Sequence, residues 1–443
     1  MTRFPMPVGW TAEFFSHPGA RVLMNSATLN TVDKISMTQS RHSSKGHPSE
    51  TGTESGFLQS ASLAIVVCAA MLTGIGLLAI YASSSMKGAQ QFGDSLAFFR
   101  KQLIVAFGGF AGILVAQKLP WRWFEAMTLP AWAFSLGTLA LIFVPGAYSV
   151  GGGAARWLHL GGVSFQPAEL AKLTLIMFLA RNLGRQNCDL RKFWSGVLPN
   201  LAAFGAFALC LMKQPDFGST VLMGSLTVVM LFIAGLPFRY LAIMAATSVA
   251  GMVAAVLAAP YRMARLLSFL DPWAEVRGGG FQIIQSYLAF KNGGLLGTGL
   301  GESRQKLFFL PEAHTDFILS VIGEELGLAG ILLVCGLFLF MSLIGLEISL
   351  RQRTRYRTLL GVGCTALIFG QSALNMGVTM GLLPTKGMPL PFVSSGASSL
   401  VVFLAVTGIL ARLARESASP AETSVPAKES HRVHAGKPAH QIT

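Results

Sequence analysis

The sequence has 443 residues, 52% of them hydrophobic and only 12% charged, with a formal net charge of +14. Soluble domains carry about a quarter charged residues, and a chain this apolar cannot cover itself with polar surface, which excludes an ordinary soluble protein. The positive balance does not point to nucleic acid, because the basic residues sit largely in loops between apolar runs.

Residues 1–57 are polar, rich in Ser, Thr, Gly and His, and lack the apolar core of a signal peptide. They read as a disordered cytoplasmic tail. Residues 58–413 form the membrane domain. A span needs about 20 mostly apolar residues. The pattern predicts spans near 60–82, 103–117, 126–144, 167–180, 197–212, 219–236, 241–259, 316–348, 358–383 and 398–411. A glycine-rich loop, Gly151-Gly152-Gly153-Ala154-Ala155-Arg156-Trp157, separates the third from the fourth, and Pro167 suits a helix start. A long insert, 260–315, separates the seventh from the eighth, which is long enough to tilt or to project from the bilayer. Residues 414–443 form a second disordered tail. The expected fold is an all-α integral membrane protein of about ten transmembrane helices, with a large extracytoplasmic insert between helices 7 and 8.

Ten spans place both termini on one side. With the N-terminus inside, the cytoplasmic loops hold Lys118, Arg122, Arg181, Arg185, Arg191, Lys192, Arg239, Arg351, Arg353, Arg355 and Arg357. The opposite short loops hold fewer: Lys87, Arg100, Lys101, Arg156, Lys213 and Lys386. The bias predicts cytoplasmic termini and an outward-facing insert. The five cysteines show no paired spacing, so neither a disulfide framework nor a metal site is expected.

The polar end of the insert runs into the eighth span as Pro311-Glu312-Ala313-His314-Thr315-Asp316. Asp316 reads equally as a helix N-cap or as a functional carboxylate at the membrane face. His314 is either a general base or a structural loop histidine, and Glu312 is either part of the site or simply solvated. Glu324 and Glu325 lie deeper along the same helix by about 12 Å, unless the helix starts above the membrane. Glu169 and Lys172, three apart on the fourth span, share a face and neutralise each other, whether as a packing pair or as a cavity wall. Gln214 belongs to a short polar turn, Lys213 to Gly218. Arg156 and Lys386 suit either a phosphate in the outer leaflet or headgroup anchoring.

Several stretches together resemble the SEDS family of shape, elongation, division and sporulation proteins. They are Ala154 to Leu158, Gln166 to Lys172, Gln214 to Ser219, Phe281 to Ser286, and Leu310 to Phe317 followed by Gly323-Glu324-Glu325-Leu326-Gly327. Leu383-Pro384-Thr385-Lys386-Gly387 is more similar to the division branch than to the elongation branch. After the last proline the family usually has a tyrosine and two glycines. Here Val393-Ser394-Ser395-Gly396-Ala397 has serine and alanine at two of those places. Phe308 stands where the family is often polar or acidic.

The resemblance implies a peptidoglycan glycosyltransferase acting on lipid II, with Asp316 as catalytic base and Arg156, Glu169, Lys172, Lys386, His314, Glu312, Gln214 and Ser394 binding substrate or supporting the site. It implies an inverting reaction that makes β-1,4 linkages at the outer face of the cytoplasmic (inner) membrane, at the division septum. A carboxylate near a sugar hydroxyl acts as general base, and a pyrophosphate leaving group needs charge neutralisation rather than a proton. Arg156, Lys386 or a divalent cation (Mg2+ or Mn2+) would supply that charge, and no metal ligands are assigned. Expected partners are a class B penicillin-binding protein, other divisome proteins and membrane lipid, with no nucleic acid. The competing readings are a lipid II flippase and a non-catalytic divisome scaffold. Polar groups clustered at one membrane face favour polymerisation over transport, which needs them at mid-membrane depth.

Overall fold

The computed structural model describes residues 50–143, 148–151, 154–160, 163–276, 278, 280–302 and 314–418. In chain order the elements are α1 (Glu50–Phe92), α2 (Ala97–Lys118), α3 (Trp121–Leu141), β1 (Tyr148–Gly151), β2 (Ala154–Leu160), β3 (Val163–Phe165), α4 (Pro167–Leu183), α5 (Leu198–Lys213), α6 (Phe217–Ile233), α7 (Phe238–Leu257), α8 (Pro260–Leu270), α9 (Phe281–Gly293), α10 (Ile318–Glu325), α11 (Gly327–Leu350), α12 (Arg355–Thr379) and α13 (Ala397–Ala418). A π turn, Phe193–Val197, leads into α5, and a 3-10 turn, Pro272–Glu275, follows α8.

The architecture is that of an all-α multi-pass membrane protein. Among the described residues six helices are long and apolar enough to cross a membrane: α1, α2, α5 with its π turn, α11, α12 and α13. Shorter apolar helices, α6 and α7, and the more polar α3 and α4 fill the remaining expected places. α1 has 43 residues, about 65 Å of helix, roughly twice the hydrocarbon thickness. It starts at Glu50, inside the segment read as a tail, and α13 runs on past residue 413 to Ala418. The tail readings for 1–49 and 419–443 fall outside the described residues.

α4 is the buried centre. Thirteen of its 17 residues are buried, Glu169 and Lys172 among them, and α12 and α13 are similarly enclosed. By contrast α7 exposes Phe238, Ile243, Val249, Met252, Val253 and Leu257, and α2 exposes Ile104, Phe107, Leu114 and Val115. Apolar side chains left outside in rows of this kind suit a lipid environment. Close helix contacts use small residues. A Cβ on Gly109 of α2 would stand 2.3 Å from Leu404 Cδ1 of α13, so glycine lets those two backbones approach.

The structure departs from the sequence expectation in two places. The glycine-rich loop after the third span is a three-stranded antiparallel sheet in the order β1-β2-β3. Tyr148 pairs with Leu158, and Leu158 pairs with Phe165. The run Arg156-Trp157-Leu158 carries the strand-forming side chains, and the flanking glycines punctuate it. The eighth span is not one helix. It breaks between α10 and α11 at Gly327, whose φ is +66°. Thr298 N and Gly299 N donate to Glu324 O and Glu325 O at 2.9 and 3.1 Å, and Leu328 N donates to Gly294 O at 2.9 Å. The segment after α9 thus takes over the backbone groups that a continuous helix would have paired. Within the insert the described residues form α8, the 3-10 turn and α9, and Ser286 of α9 donates to Thr379 O of α12 at 2.6 Å.

The described ends of the chain meet at the pole opposite Asp316. Arg351 stacks over Phe57 at 4.8 Å, and Gln352 Nε2 donates to Leu413 O at 3.1 Å and to Ser417 at 2.8 Å. Arg355 donates to Ala234 O there at 2.6 Å. The basic loops are therefore gathered at one pole. All five cysteines are free thiols.

Candidate active site

At the other pole a cavity of about 530 Å3 is lined by Arg156, Arg265, Gly278, Phe281, Gln282, Asp316, Phe317, Thr385, Lys386 and Gly387. Four separate stretches of the sequence converge there: strand β2, the insert, the turn before α10 and the loop between α12 and α13. The approach is close, since a Cβ on Gly387 would stand 3.1 Å from Asp316 Oδ2 and 3.6 Å from Arg156 Nη1.

Asp316 is not the helix cap that the sequence allowed. The cap position of α10 is Phe317, with no side-chain cap bond, because the helix begins one residue later than the polar cluster suggests. Asp316 lies within the turn 314–317, and its carboxyl lies on the cavity wall. Its backbone is pinned: Asn375 Nδ2 of α12 donates to Asp316 O at 2.8 Å and to Met388 O at 2.7 Å. One buried amide thus ties the Asp316 turn to the Lys386 loop. Ser394 adds a second tie, accepting from Leu390 N at 2.8 Å and donating to Thr315 O. Ser395 N donates to His314 O at 2.9 Å. The unusual Ser395-Gly396-Ala397 stretch still closes this loop, with Gly396 N donating to Gln102 Oε1 at 3.3 Å.

Arg156 is oriented by the polar turn before α6. Its Nη2 donates to Pro215 O at 2.7 Å and its Nε to Gln214 O at 3.5 Å. Gln214 is buried and donates to Leu139 O at 2.9 Å, so it supports Arg156 through the backbone and does not itself line the cavity. Asp216 caps α6, accepting from Ser219 N at 3.1 Å and Ser219 Oγ at 2.7 Å. The Lys386 ammonium stands 5.5 Å over the Phe217 ring. Burial pushes its pKa below the usual lysine value, and the Asp216 carboxylate partly offsets this.

The other expected site residues lie behind the wall. Lys172 Nζ contacts Glu169 Oε1 at 2.6 Å, with the two side chains 0% and 1% exposed. Lys172 Nζ also donates to Gln371 Oε1 at 2.6 Å, and Gln371 Nε2 donates to Pro389 O at 3.0 Å. The pair therefore braces the loop that carries Lys386. The His314 ring is buried against Phe98, with centroids 5.4 Å apart, a packing role rather than a place on the wall. Glu324 and Glu325 are buried in α10, and Asn292 donates to Glu324 Oε1 at 3.2 Å. Glu312 and Phe308 fall outside the described residues.

Arg265, Gln282 and Thr385 are cavity residues to which sequence reasoning gave no role. Gln282 and Thr385 sat within recognised motifs. Arg265 was signalled only by the pattern of the insert, where Arg262 and Arg265 share one face of α8 and Met263, Leu267 and Leu270 share another.

Among the described residues the wall offers one carboxylate, Asp316, and three cationic side chains, Arg156, Arg265 and Lys386. Among the described residues no three of His, Cys, Asp and Glu stand together as metal ligands. That donor set suits an anionic substrate beside a proton acceptor.

A family model described as a cell cycle protein, FtsW/RodA/SpoVE, matches residues 62–419. A probable peptidoglycan glycosyltransferase FtsW from Geobacter metallireducens is 41% identical over 348 residues, 79% of this chain and 93% of that one. Stage V sporulation protein E from Bacillus subtilis is 38% identical over 361 residues, 81% of this chain and 98% of that one. A chain from a solved peptidoglycan synthase complex superposes with a TM-score of 0.66 at 28% identity, covering 80% of this chain and 97% of that one. The rod shape determining protein RodA from Thermus thermophilus gives a TM-score of 0.59 at 25% identity, covering 80% and 97%. The match runs from within α1 through α13, and the chain belongs to the FtsW/RodA/SpoVE family.

Proposed function

We propose that this chain polymerises lipid II into β-1,4-linked glycan strands, as a peptidoglycan glycosyltransferase, with Asp316 as general base. The observation that carries the reading is the position of Asp316 on a cavity wall shared with Arg156, Arg265 and Lys386. The family membership and the glycosyltransferase names of the relatives support it.

The acceptor sugar's 4-hydroxyl attacks C1 of the growing chain. Asp316 takes the hydroxyl proton, the C1–O4 bond forms, and the C1–O bond to the pyrophosphate breaks. The electron pair leaves with undecaprenyl pyrophosphate. The leaving group departs as an anion, so positive charge in the cavity stabilises it directly and no second carboxylate is needed to protonate it. Attack opposite the leaving group inverts C1. The pinned backbone of Asp316 serves this chemistry, because a misplacement of about 1 Å can cost roughly a hundredfold in rate.

The reading extends to the cell. The site faces outward at the cytoplasmic membrane, at the division septum, with both termini in the cytoplasm. The gathering of basic loops at the opposite pole supports that orientation. A class B penicillin-binding protein is the working partner, as the solved peptidoglycan synthase complex suggests.

The test is polymer formation from purified lipid II by wild type and by Asp316→Asn, with and without a class B penicillin-binding protein. The mutant is expected to fold and insert but to lose at least about a hundredfold in rate. Polymer at the wild-type rate from the mutant overturns the base assignment. Lipid II movement across vesicles without polymer from the wild type overturns polymerisation in favour of transport.

A further inference from the structure

The three cationic side chains of the cavity differ in what already engages them. Arg156 donates to Pro215 O and Gln214 O at 2.7 and 3.5 Å. The Lys386 ammonium stands over the Phe217 ring at 5.5 Å and lies within electrostatic reach of Asp216. No hydrogen bond or ion pair engages the Arg265 guanidinium among the described residues. Its side chain is exposed into the cavity mouth. A guanidinium has five donors, keeps its proton and matches phosphate oxygens two at a time.

α8 holds Arg265 in a defined place. Arg262, one turn earlier on the same face, stacks over Phe217 at 5.8 Å. Phe217 is the first residue of α6, and its ring also receives Lys386. On the other face Leu267 and Leu270 are 58% and 69% exposed. A short helix with one cationic and one exposed apolar face suits the membrane surface. Arg265 therefore stands where a lipid-linked anion would pass from the bilayer into the cavity.

We propose that Arg265 is the residue that binds the diphosphate of the polyprenyl-linked donor, while Arg156 and Lys386 are fixed parts of the wall. This deepens the glycosyltransferase reading and rests on it for the identity of the anion. As the C1–O bond breaks, the electron pair stays on the diphosphate oxygen, and the Arg265 fork offsets that charge.

The test uses the purified full-length protein and undecaprenyl pyrophosphate as probe, with undecaprenol as its uncharged control. Arg265→Ala is expected to raise KM for lipid II and to weaken inhibition by undecaprenyl pyrophosphate, each by roughly ten- to a hundredfold. The weak effect of undecaprenol should not change. Arg265→Lys, which keeps the charge and loses the fork, should recover part of the loss. A fall in kcat with unchanged inhibition assigns Arg265 a structural role and overturns the proposal. If Arg265→Ala does not fold, Arg265→Lys and Arg265→Gln answer the same question. Direct binding of the probe to Asp316→Asn, with and without Arg265→Ala, needs no turnover. Equal binding there overturns the Arg265 assignment whatever becomes of Asp316. Active Asp316→Asn overturns the base assignment and leaves the binding comparison intact.

Discussion

Asp316 and Lys386 reach the cavity from segments strapped to the buried core, whereas Arg265 reaches it from an insert helix outside that core. The first wall is cross-linked by Asn375, which holds both Asp316 O and Met388 O. Behind it the chain Glu169, Lys172, Gln371 and Pro389 O runs from the central helix to the same loop. The second wall depends on the Arg262–Phe217 stack and on local bonds such as Ser268 Oγ to Glu275 Oε2 at 2.8 Å. The contrast suits the two tasks. A base must be held within tenths of an ångström of the proton it takes, while a cation that meets a large lipid-linked anion tolerates movement.

Three measurements break or sharpen that contrast. The largest effect is expected on the rigid wall. Lys172→Met leaves the Glu169 carboxylate buried without its cation, which should cost about 3–5 kcal/mol in thermal unfolding followed in detergent. The double variant Glu169→Gln with Lys172→Met should recover much of it. Exposed Arg265→Ala should move the same transition by no more than about 0.5 kcal/mol. Equal shifts for Lys172→Met and Arg265→Ala would erase the distinction between the walls.

Asn375→Leu comes next. It removes the donor from two carbonyls, each worth about 1–3 kcal/mol when left buried and unpaired. Because it lets the Asp316 turn drift from the Lys386 loop, kcat should fall more than KM rises. A rise in KM with kcat unchanged would mean that Asn375 does not position the base.

The smallest effect is a shift in pH dependence. Burial lowers the Lys386 pKa from the ordinary 10.5, with Asp216 opposing it. The ammonium is therefore lost as pH rises through that lowered value, before an ordinary lysine would lose it. Lys386→Arg should move the alkaline limb of the activity profile upward. The stability consequence has the opposite sense. The buried charge costs stability below the lowered value, and that cost is relieved as pH rises from there toward 10.5. An alkaline limb unmoved by Lys386→Arg would assign that limb to another group.

Much of this was legible in the sequence. Apolar length places the membrane segments in order, and the joint presence of Arg156, Lys386 and Asp316 at one pole follows from counting spans. The Glu169–Lys172 pair follows from i, i+3 spacing. The role of Arg265 did not, because an arginine on a short amphipathic helix reads as a surface residue until the helix is docked. The sequence favours Asp316 over His314, two residues away in the same polar run, and leaves His314 a supporting place in the site. Their backbone directions in the turn send one ring onto Phe98 and one carboxyl to the cavity.

By itself, then, the sequence determines the membrane class, the order of the apolar segments and the residue types available for chemistry. Those follow from hydrophobic length and periodicity, which are local properties. The tertiary structure alone decides the break at Gly327, where the segment after α9 supplies the hydrogen bonds that a continuous helix would have made. It alone decides that four distant stretches share one cavity, and which of their charges are already engaged. Those are outcomes of long-range pairing, in which each buried polar group takes the partner that packing brings to it.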